Sequence, residues 1–301
     1  LNVQVVLPSR NESLHLAKLL PRIAQLDCVG RIIVVDDGSV DATLSVAGQC
    51  GVTVIRQPYP KGNGAAIKRG ALAADADYVV FMDADGQHDP EDIPKLLAKA
   101  AEGYDMVVGA RHSLSSQASI FRWGANKLYN LLASWMVGQK IDDLTSGFRL
   151  VNRKKFLSFL YLLPNGFSYP TTSTMAFFRA GYSVGFVPIR AGRRLGKSHI
   201  SFWRDGIRFF LIIFKIGTLY SPLKVYFPVS VLMTSLGVLN YAFYALSANS
   251  LRFSNMSTLL MLVGIIVFLM GLLSEQITNL QYKNIRYESE ALDDESRSSG
   301  H

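Results

Sequence analysis

Tyr78-Val79-Val80-Phe81-Met82-Asp83-Ala84-Asp85-Gly86-Gln87-His88 is a short apolar run that turns acidic and polar at its carboxyl end. Two other stretches repeat the pattern. Val3-Gln4-Val5-Val6-Leu7 is stopped by Pro8 and followed by Ser9-Arg10-Asn11-Glu12, and Arg31-Ile32-Ile33-Val34-Val35 is followed by Asp36-Asp37-Gly38-Ser39. Val52-Thr53-Val54-Ile55 is one more strand, closed by a glycine-rich turn. Between these runs the periodicity changes. Glu12 to Leu26 carries Leu16, Leu19, Leu20 and Ile23 at helical spacing, Asp41 is placed to cap a helix, and Ala65 to Ala74 is helical. Near-continuous Val/Ile strands alternating with helices predict an α/β fold, a mostly parallel sheet with helices on both faces. Ligands of such sheets sit beyond the carboxyl ends of the strands. Asp and Asn favour turns anywhere, which accounts for one polar cluster. Three clusters at three strand ends point to one shared crevice.

Outward from this core the composition changes. Of 301 residues, 49% are hydrophobic and the formal net charge is +8; the mean hydropathy is +0.20. Residues 225–251 carry no charge, and after Arg252 neither do residues 253–274. Each run exceeds the roughly 20 apolar residues that a helix needs to cross a bilayer. The charge is also segregated. Residues 36–105 hold twelve acids and six Lys/Arg, whereas residues 146–215 hold twelve Lys/Arg and a single acid, Asp205. A basic stretch beside apolar spans suits anionic lipid head groups, and no nucleic-acid motif accompanies it.

The expected organisation is a catalytic domain over residues 1–200, an amphipathic interface helix over 201–221, and a transmembrane hairpin over 222–283. Its spans are placed at about 225–247 and 256–278, before an acidic, disordered tail over 284–301. Lys215, Lys224, Lys283 and Arg286 flank the hairpin, while its loop has only Arg252. The positive-inside rule therefore predicts an integral membrane protein with its catalytic domain and both termini in the cytoplasm. Two lone spans also leave lipid-facing surface on which a homo-oligomer could form. Cys28 and Cys50 make no metal or disulfide pattern.

Asp83 and Asp85, one residue apart at a strand end, are suited to a hard cation such as Mg²⁺ or Mn²⁺ that keeps open positions for substrate phosphates. Arginine is the other chemistry-bearing residue. Its planar fork can take two phosphate oxygens, and two anions brought together to react need such cations around them. His88, beside the acidic motif, reads either as a general base or as a polar loop residue.

Val6–Glu12, Val34–Thr43 and Met82–Pro90 resemble three signatures of family 2 glycosyltransferases, which have the GT-A fold. Lys61-Gly62-Asn63-Gly64, Val107-Val108-Gly109-Ala110-Arg111 and Thr145-Ser146-Gly147-Phe148-Arg149 are similar to the polyprenyl-phosphate branch, which includes dolichol-phosphate mannose synthase. The resemblance covers residues 3–199. It implies inverting transfer of a sugar from a UDP- or GDP-linked nucleotide-sugar donor to a polyprenyl or dolichyl phosphate at the membrane. By it, Pro8, Arg10, Glu12, Asp36, Asp37, Lys61 and Asp83 would bind the nucleotide-sugar, and Asp85 and Gln87 the metal. Arg111, Arg122, Ser146 and Arg149 would face the acceptor phosphate, and Arg193 and Ser198 would belong to a basic loop closing over the donor. The catalytic set is then Asp83, Asp85, Arg111 and Arg122. Two departures stand out: His199 where a Lys is usual, and Tyr169-Pro170-Thr171-Thr172-Ser173, where relatives often carry acidic residues. A processive synthase would carry Gln-x-x-Arg-Trp and more spans; a nucleotidyltransferase would carry a glycine-rich loop after the first strand. A different acceptor, or an inactive membrane scaffold, is the remaining alternative.

Overall fold

The computed structural model describes residues 3–111, 120–166, 168–189, 214, 217–248 and 253–298. The chain divides into two units, residues 1–199 with 285–301, and residues 200–284.

In the first unit seven strands form one sheet, in the order β3-β2-β1-β4-β6-β5-β7. The strands are β1 (Val3–Ser9), β2 (Val29–Asp36), β3 (Thr53–Arg56), β4 (Tyr78–Phe81), β5 (Met106–Arg111), β6 (Arg149–Asn152) and β7 (Val184–Ile189). β1 pairs in parallel with β2 and β4, β2 with β3, and β5 with β7. β6 runs antiparallel between β4 and β5, which makes the sheet mixed. The register aligns Ser9 with Asp36, and Val6 with Phe81, so the polar segments after β1, β2 and β4 leave the same edge.

Helices α1 (Ser13–Ala24), α2 (Thr43–Gln49), α3 (Asn63–Ala73) and α4 (Ile93–Ala101) connect the strands. α1 buries Leu16, Leu19, Leu20 and Ile23, and α4 buries Ile93, Leu96, Leu97 and Ala100 against Val5, Leu7, Val34, Val80 and Val107. At about 25 cal/mol per Å² of apolar area, burial of such side chains is the main force assembling the sheet. α3 is the closest fit. A Cβ at Gly70 would come 2.3 Å from Val6 Cγ1, so glycine lets this helix lie against β1. Helices α5 (Ile120–Val137), α6 (Arg153–Leu157) and α7 (Tyr169–Arg179) complete the unit. Tyr129, Ala133 and Met136 of α5 are buried, but Leu128, Leu131 and Trp135 form an exposed stripe.

α8 (Pro222–Ala248) and α9 (Asn255–Ser298) cover the two apolar runs, and the second unit holds them as far as residue 284. Pro222–Ser247 and Asn255–Lys283 are long and apolar enough to cross a bilayer. Small residues set their contact, as expected where lipid gives no hydrophobic drive. Cβ atoms at Gly264 and Gly271 would lie 2.2 Å from Thr234 Oγ1 and 2.6 Å from Tyr226 Cβ. At the turn, Asn240 Oδ1 accepts from Ser254 Oγ at 3.0 Å and Ser257 Oγ at 2.8 Å. At the other end Glu275 accepts the Leu223 N–H in the first turn of α8 at 3.3 Å. Over residues 284–298, within the tail expected at 284–301, the backbone continues α9. Glu, Ala, Leu and Arg are good helix formers, and extending a helix needs no new nucleus. Most of the expected interface helix at 201–221 lies outside the described residues.

Candidate active site

The loops after β1 and β2 are tied together by their own side chains. Asn11, in the left-handed region at φ 56°, donates its N–H to Ser39 Oγ at 2.9 Å and accepts the Val40 N–H on Oδ1 at 3.0 Å. Glu12 N–H reaches Thr43 Oγ1 at 3.0 Å, and Ser13 N–H reaches Asp41 Oδ2 at 3.3 Å. The Asp41 carboxyl is partly desolvated, but the bonds from Thr43 and Ser13 outweigh that and lower its pKa to about 2. Asp37 spans to the next loop. Its two carboxylate oxygens accept the backbone N–H groups of Lys61 at 2.6 Å and Gly62 at 2.9 Å. Gly62 itself sits at φ +103°, where a Cβ would be 2.4 Å from Asn165 O; only glycine meets both demands.

After β4 the acidic turn faces this frame. Asp85 Oδ1 accepts the Gln87 N–H at 3.1 Å, and Asn63 Nδ2 donates to Asp83 Oδ1 at 3.3 Å. Behind Asp83 lies Gly147, where a Cβ would be only 2.4 Å from Asp83 Oδ2. His88 is buried and stacks on Phe148, ring centroids 5.2 Å apart. Burial lowers its pKa to about 4, against the opposing pull of Asp85, so it is neutral at neutral pH. Its Nε2, 3.9 Å from Asp83 Oδ2, is too far for a hydrogen bond, and a buried neutral ring is poorly placed to act as a general base.

Pro8, Ser9, Arg10, Glu12, Asp37, Gly62, Asn63, Ala66, Asp83, Ala84, Asp85 and Gln87 line one cavity of about 390 Å³, within the usual range for small-ligand sites. Seven of the residues expected from the sequence meet there: Pro8, Arg10, Glu12, Asp37, Asp83, Asp85 and Gln87. Two do not. Asp36 is fully buried and accepts the Ser39 N–H at 3.0 Å, which makes it a turn organiser. Lys61 lies with its Nζ over the Tyr59 ring, 5.1 Å from the centroid.

The arginines separate as sharply. Arg111 ends β5 in a fork on Asp143, with Nε to Oδ2 at 2.7 Å and Nη2 to Oδ1 at 3.0 Å; Nη2 also reaches Thr145 Oγ1 at 2.7 Å. Burial works against both charges, yet the pairing wins, raising the Arg111 pKa and lowering that of Asp143. Arg149 is fully buried. Its Nη1 donates to Pro170 O at 2.7 Å, Ser173 Oγ at 2.7 Å and Thr174 Oγ1 at 3.1 Å, and its Nη2 donates to Ser146 O. Tyr169 lies against the guanidinium, 5.7 Å from the ring centroid. Ser146 is fully buried too. Both residues thus lie inside the fold, where the Arg149 hydrogen bonds pin the segment behind Asp83. Arg122 lies on α5, but its side chain is outside the described residues, as are Arg193, Ser198 and His199.

The family 2 glycosyl transferase model matches residues 4–159, and a GtrB C-terminal hairpin model matches residues 221–280. The chain belongs to glycosyltransferase family 2. Among relatives of this glycosyltransferase, an undecaprenyl-phosphate 4-deoxy-4-formamido-L-arabinose transferase of Enterobacter sp. (strain 638) is 30% identical, over 94% of this chain and 90% of the relative. A dolichyl-phosphate hexose transferase of Haloferax volcanii is 30% identical over 68% and 89%. Such relatives put the enzyme in the polyprenyl-phosphate branch of the family. Glucosyl-3-phosphoglycerate synthase from Mycobacterium tuberculosis, solved with Mn²⁺, UDP and its product, is 22% identical with a TM-score of 0.57, covering 72% of this chain and 78% of its own. It shares the fold.

The glycosyltransferase cavity suits a divalent cation by its donor set. Asp85 and Gln87 offer hard oxygen ligands on one tight turn lining it, a donor set suited to an ion that shares its coordination with substrate phosphates and water. Asp143 and Asn63 were not singled out in the sequence. Asp143 lies one residue after another acid in a polar turn, and only the approach of the 142–145 turn to the end of β5 reveals its partner.

Proposed function

We propose that the enzyme transfers a sugar from a UDP- or GDP-linked donor, bound in the cavity at the strand ends, to a polyprenyl phosphate at the cytoplasmic membrane face. The observation that carries this reading is the convergence of Pro8, Arg10, Glu12, Asp37, Asp83, Asp85 and Gln87 on one cavity. The chain also bears two apolar helices of spanning length. The relatives named for undecaprenyl- and dolichyl-phosphate substrates support the acceptor class.

The lipid phosphate is already anionic, so its oxygen needs no strong base to attack the anomeric carbon. That bond forms with inversion as the bond to the diphosphate breaks, and a nucleoside diphosphate leaves. Mg²⁺ or Mn²⁺ held by Asp85 and Gln87 would neutralise charge on the leaving group. Asp83, braced by Asn63 and Gly147, orients the donor. Arg111, held in its fork by Asp143, receives the acceptor phosphate together with Arg122. Arg193 and Ser198 complete the set of donor-binding residues.

Residues 1–200 act as the catalytic domain, 201–221 as an interface helix and 222–283 as the hairpin anchor. The exposed Leu128, Leu131 and Trp135 of α5, with exposed Lys127 and no acid between residues 106 and 141, favour contact with an anionic bilayer. Incubating membranes with a panel of UDP- and GDP-sugars and polyprenyl phosphate, with mass spectrometry of the lipids, tests the reading. A glycosyl-phosphoryl-polyprenol that disappears with Asp85→Ala or a chelator is expected. Full activity under chelation would sink the metal assignment, and absence of any glycolipid would sink the acceptor.

A further inference from the structure

Two walls of the cavity come from different parts of the chain: Glu12, just before α1, and the turn Asp85-Gly86-Gln87 after β4. One side chain outside the cavity lies beside both. His15 lies in the first turn of α1, and its Nδ1 is 2.7 Å from Glu12 Oε2. Glu12 occupies the N-cap position, where a polar side chain ordinarily accepts a backbone N–H of its own helix. It makes no such bond. Its backbone N–H is held by Thr43 Oγ1 at 3.0 Å, so the main chain is fixed by α2 while His15 holds the carboxylate.

The other edge of the same ring covers the acidic turn. Gly86 has φ +72°, and a Cβ built there would come 3.2 Å from His15 Cδ2. Further along α1, Arg22 Nη2 donates to Asp89 Oδ1 at 2.6 Å and Glu91 Oε1 at 3.4 Å. One helix thus approaches the segment after β4 at two points, and the first is Gly86, between the cavity-lining Asp85 and Gln87.

We infer that His15 is a positioning residue for donor binding. Its Nδ1–H holds the Glu12 carboxylate in one rotamer, and its ring supports the Asp85–Gln87 turn. The inference rests on the reading of the cavity as the sugar-nucleotide site. Fixing a charged side chain before the ligand arrives removes part of the ordering cost of binding, and a hydrogen bond to a carboxylate is among the stronger neutral–ionic contacts. Loss of both is worth about tenfold in donor affinity.

The test uses the full chain in detergent or nanodiscs, with UDP and GDP titrated calorimetrically and steady-state kinetics on the glycolipid product. His15→Ala should raise the donor KM and the nucleotide Kd about tenfold, with kcat, the lipid KM and the melting temperature unchanged. His15→Asn, whose amide nitrogen can stand where Nδ1 does, should recover most of the affinity. His15→Leu, which keeps bulk over Gly86 without a donor, should not. Adding His15→Ala to Glu12→Gln should cost less than His15→Ala costs in the wild type, since only the support of the turn is left to lose. Unchanged donor affinity in His15→Ala, or equal rescue by Leu and Asn, would overturn the role. A wild-type enzyme that binds neither nucleotide would instead sink the donor-site reading on which it rests.

Discussion

Gly147→Ala puts the smallest possible side chain into the wall behind Asp83. The added Cβ would stand 2.4 Å from Asp83 Oδ2, 3.0 Å from Cγ and 3.2 Å from Oδ1. Ordinary contact begins near 3.4 Å, so the carboxylate must retreat by about 1 Å or the 146–149 segment must yield. That segment is the less free of the two. Arg149 ties it to the start of α7, and Tyr169 Oη donates to Gly147 O at 3.2 Å. The movement therefore falls on Asp83, away from Asn63 and from its place in the cavity. A misplacement of about 1 Å at a reacting site costs on the order of 100-fold in rate. Overpacking costs stability only about 1–3 kcal/mol. In detergent, Gly147→Ala should form glycolipid with kcat lowered about 100-fold while remaining folded. Gly124→Ala is the control, since nothing lies within 4 Å of its Cβ and alanine favours the helix. Near-wild-type kcat in Gly147→Ala would refute the idea that this wall sets the position of Asp83.

Three other outcomes are expected. Asp143→Asn removes the charge that holds the Arg111 fork; leaving a half-buried cation without its partner costs about 3 kcal/mol, and the lipid-phosphate KM should rise more than the donor KM, which parallel kinetics for the two substrates will show. Asp41 has its pKa lowered to about 2 in the fold. Its contribution is therefore complete above pH of about 4, its unfolded value, and is lost as pH falls toward 2. Because the group is exposed, solvent limits that contribution to under about 1 kcal/mol, and the gap in melting temperature between wild type and Asp41→Asn should close over the same interval. Gly264→Val drives a side chain into Thr234, 2.2 Å from the Cβ position, and should lower the detergent melting temperature of the hairpin, read by tryptophan-independent circular dichroism, more than Gly48→Val, whose Cβ meets nothing within 4 Å.

The sheet was legible because its strands are nearly pure Val and Ile and each ends abruptly in charge. Buried parallel strands can be recognised from one strand at a time. β6 was not, because Arg149-Leu150-Val151-Asn152 is four residues long and its place between β4 and β5 depends on partners distant in sequence. The same division runs through the site. Residues that meet a ligand from a strand end, such as Glu12, Asp83 and Asp85, announce themselves by position. Residues that act through another side chain, such as Asn63, Asp143 and His15, are visible only when two loops are brought together. Arg149 is a further case. Its place near the acceptor came from the resemblance alone, and no sequence pattern announced that Ser173, Thr174 and the Pro170 carbonyl at the start of α7 take up its donors inside the protein. In this chain the Tyr169–Ser173 segment is where the buried guanidinium finds its acceptors. Burial lowers the pKa of Arg149, while the nearby charges of Asp143 and Asp83 favour its ionised form. The cation is therefore compensated in part by the acids of the active site, and any change to those acids will be felt in the packing of α7 as well as in catalysis.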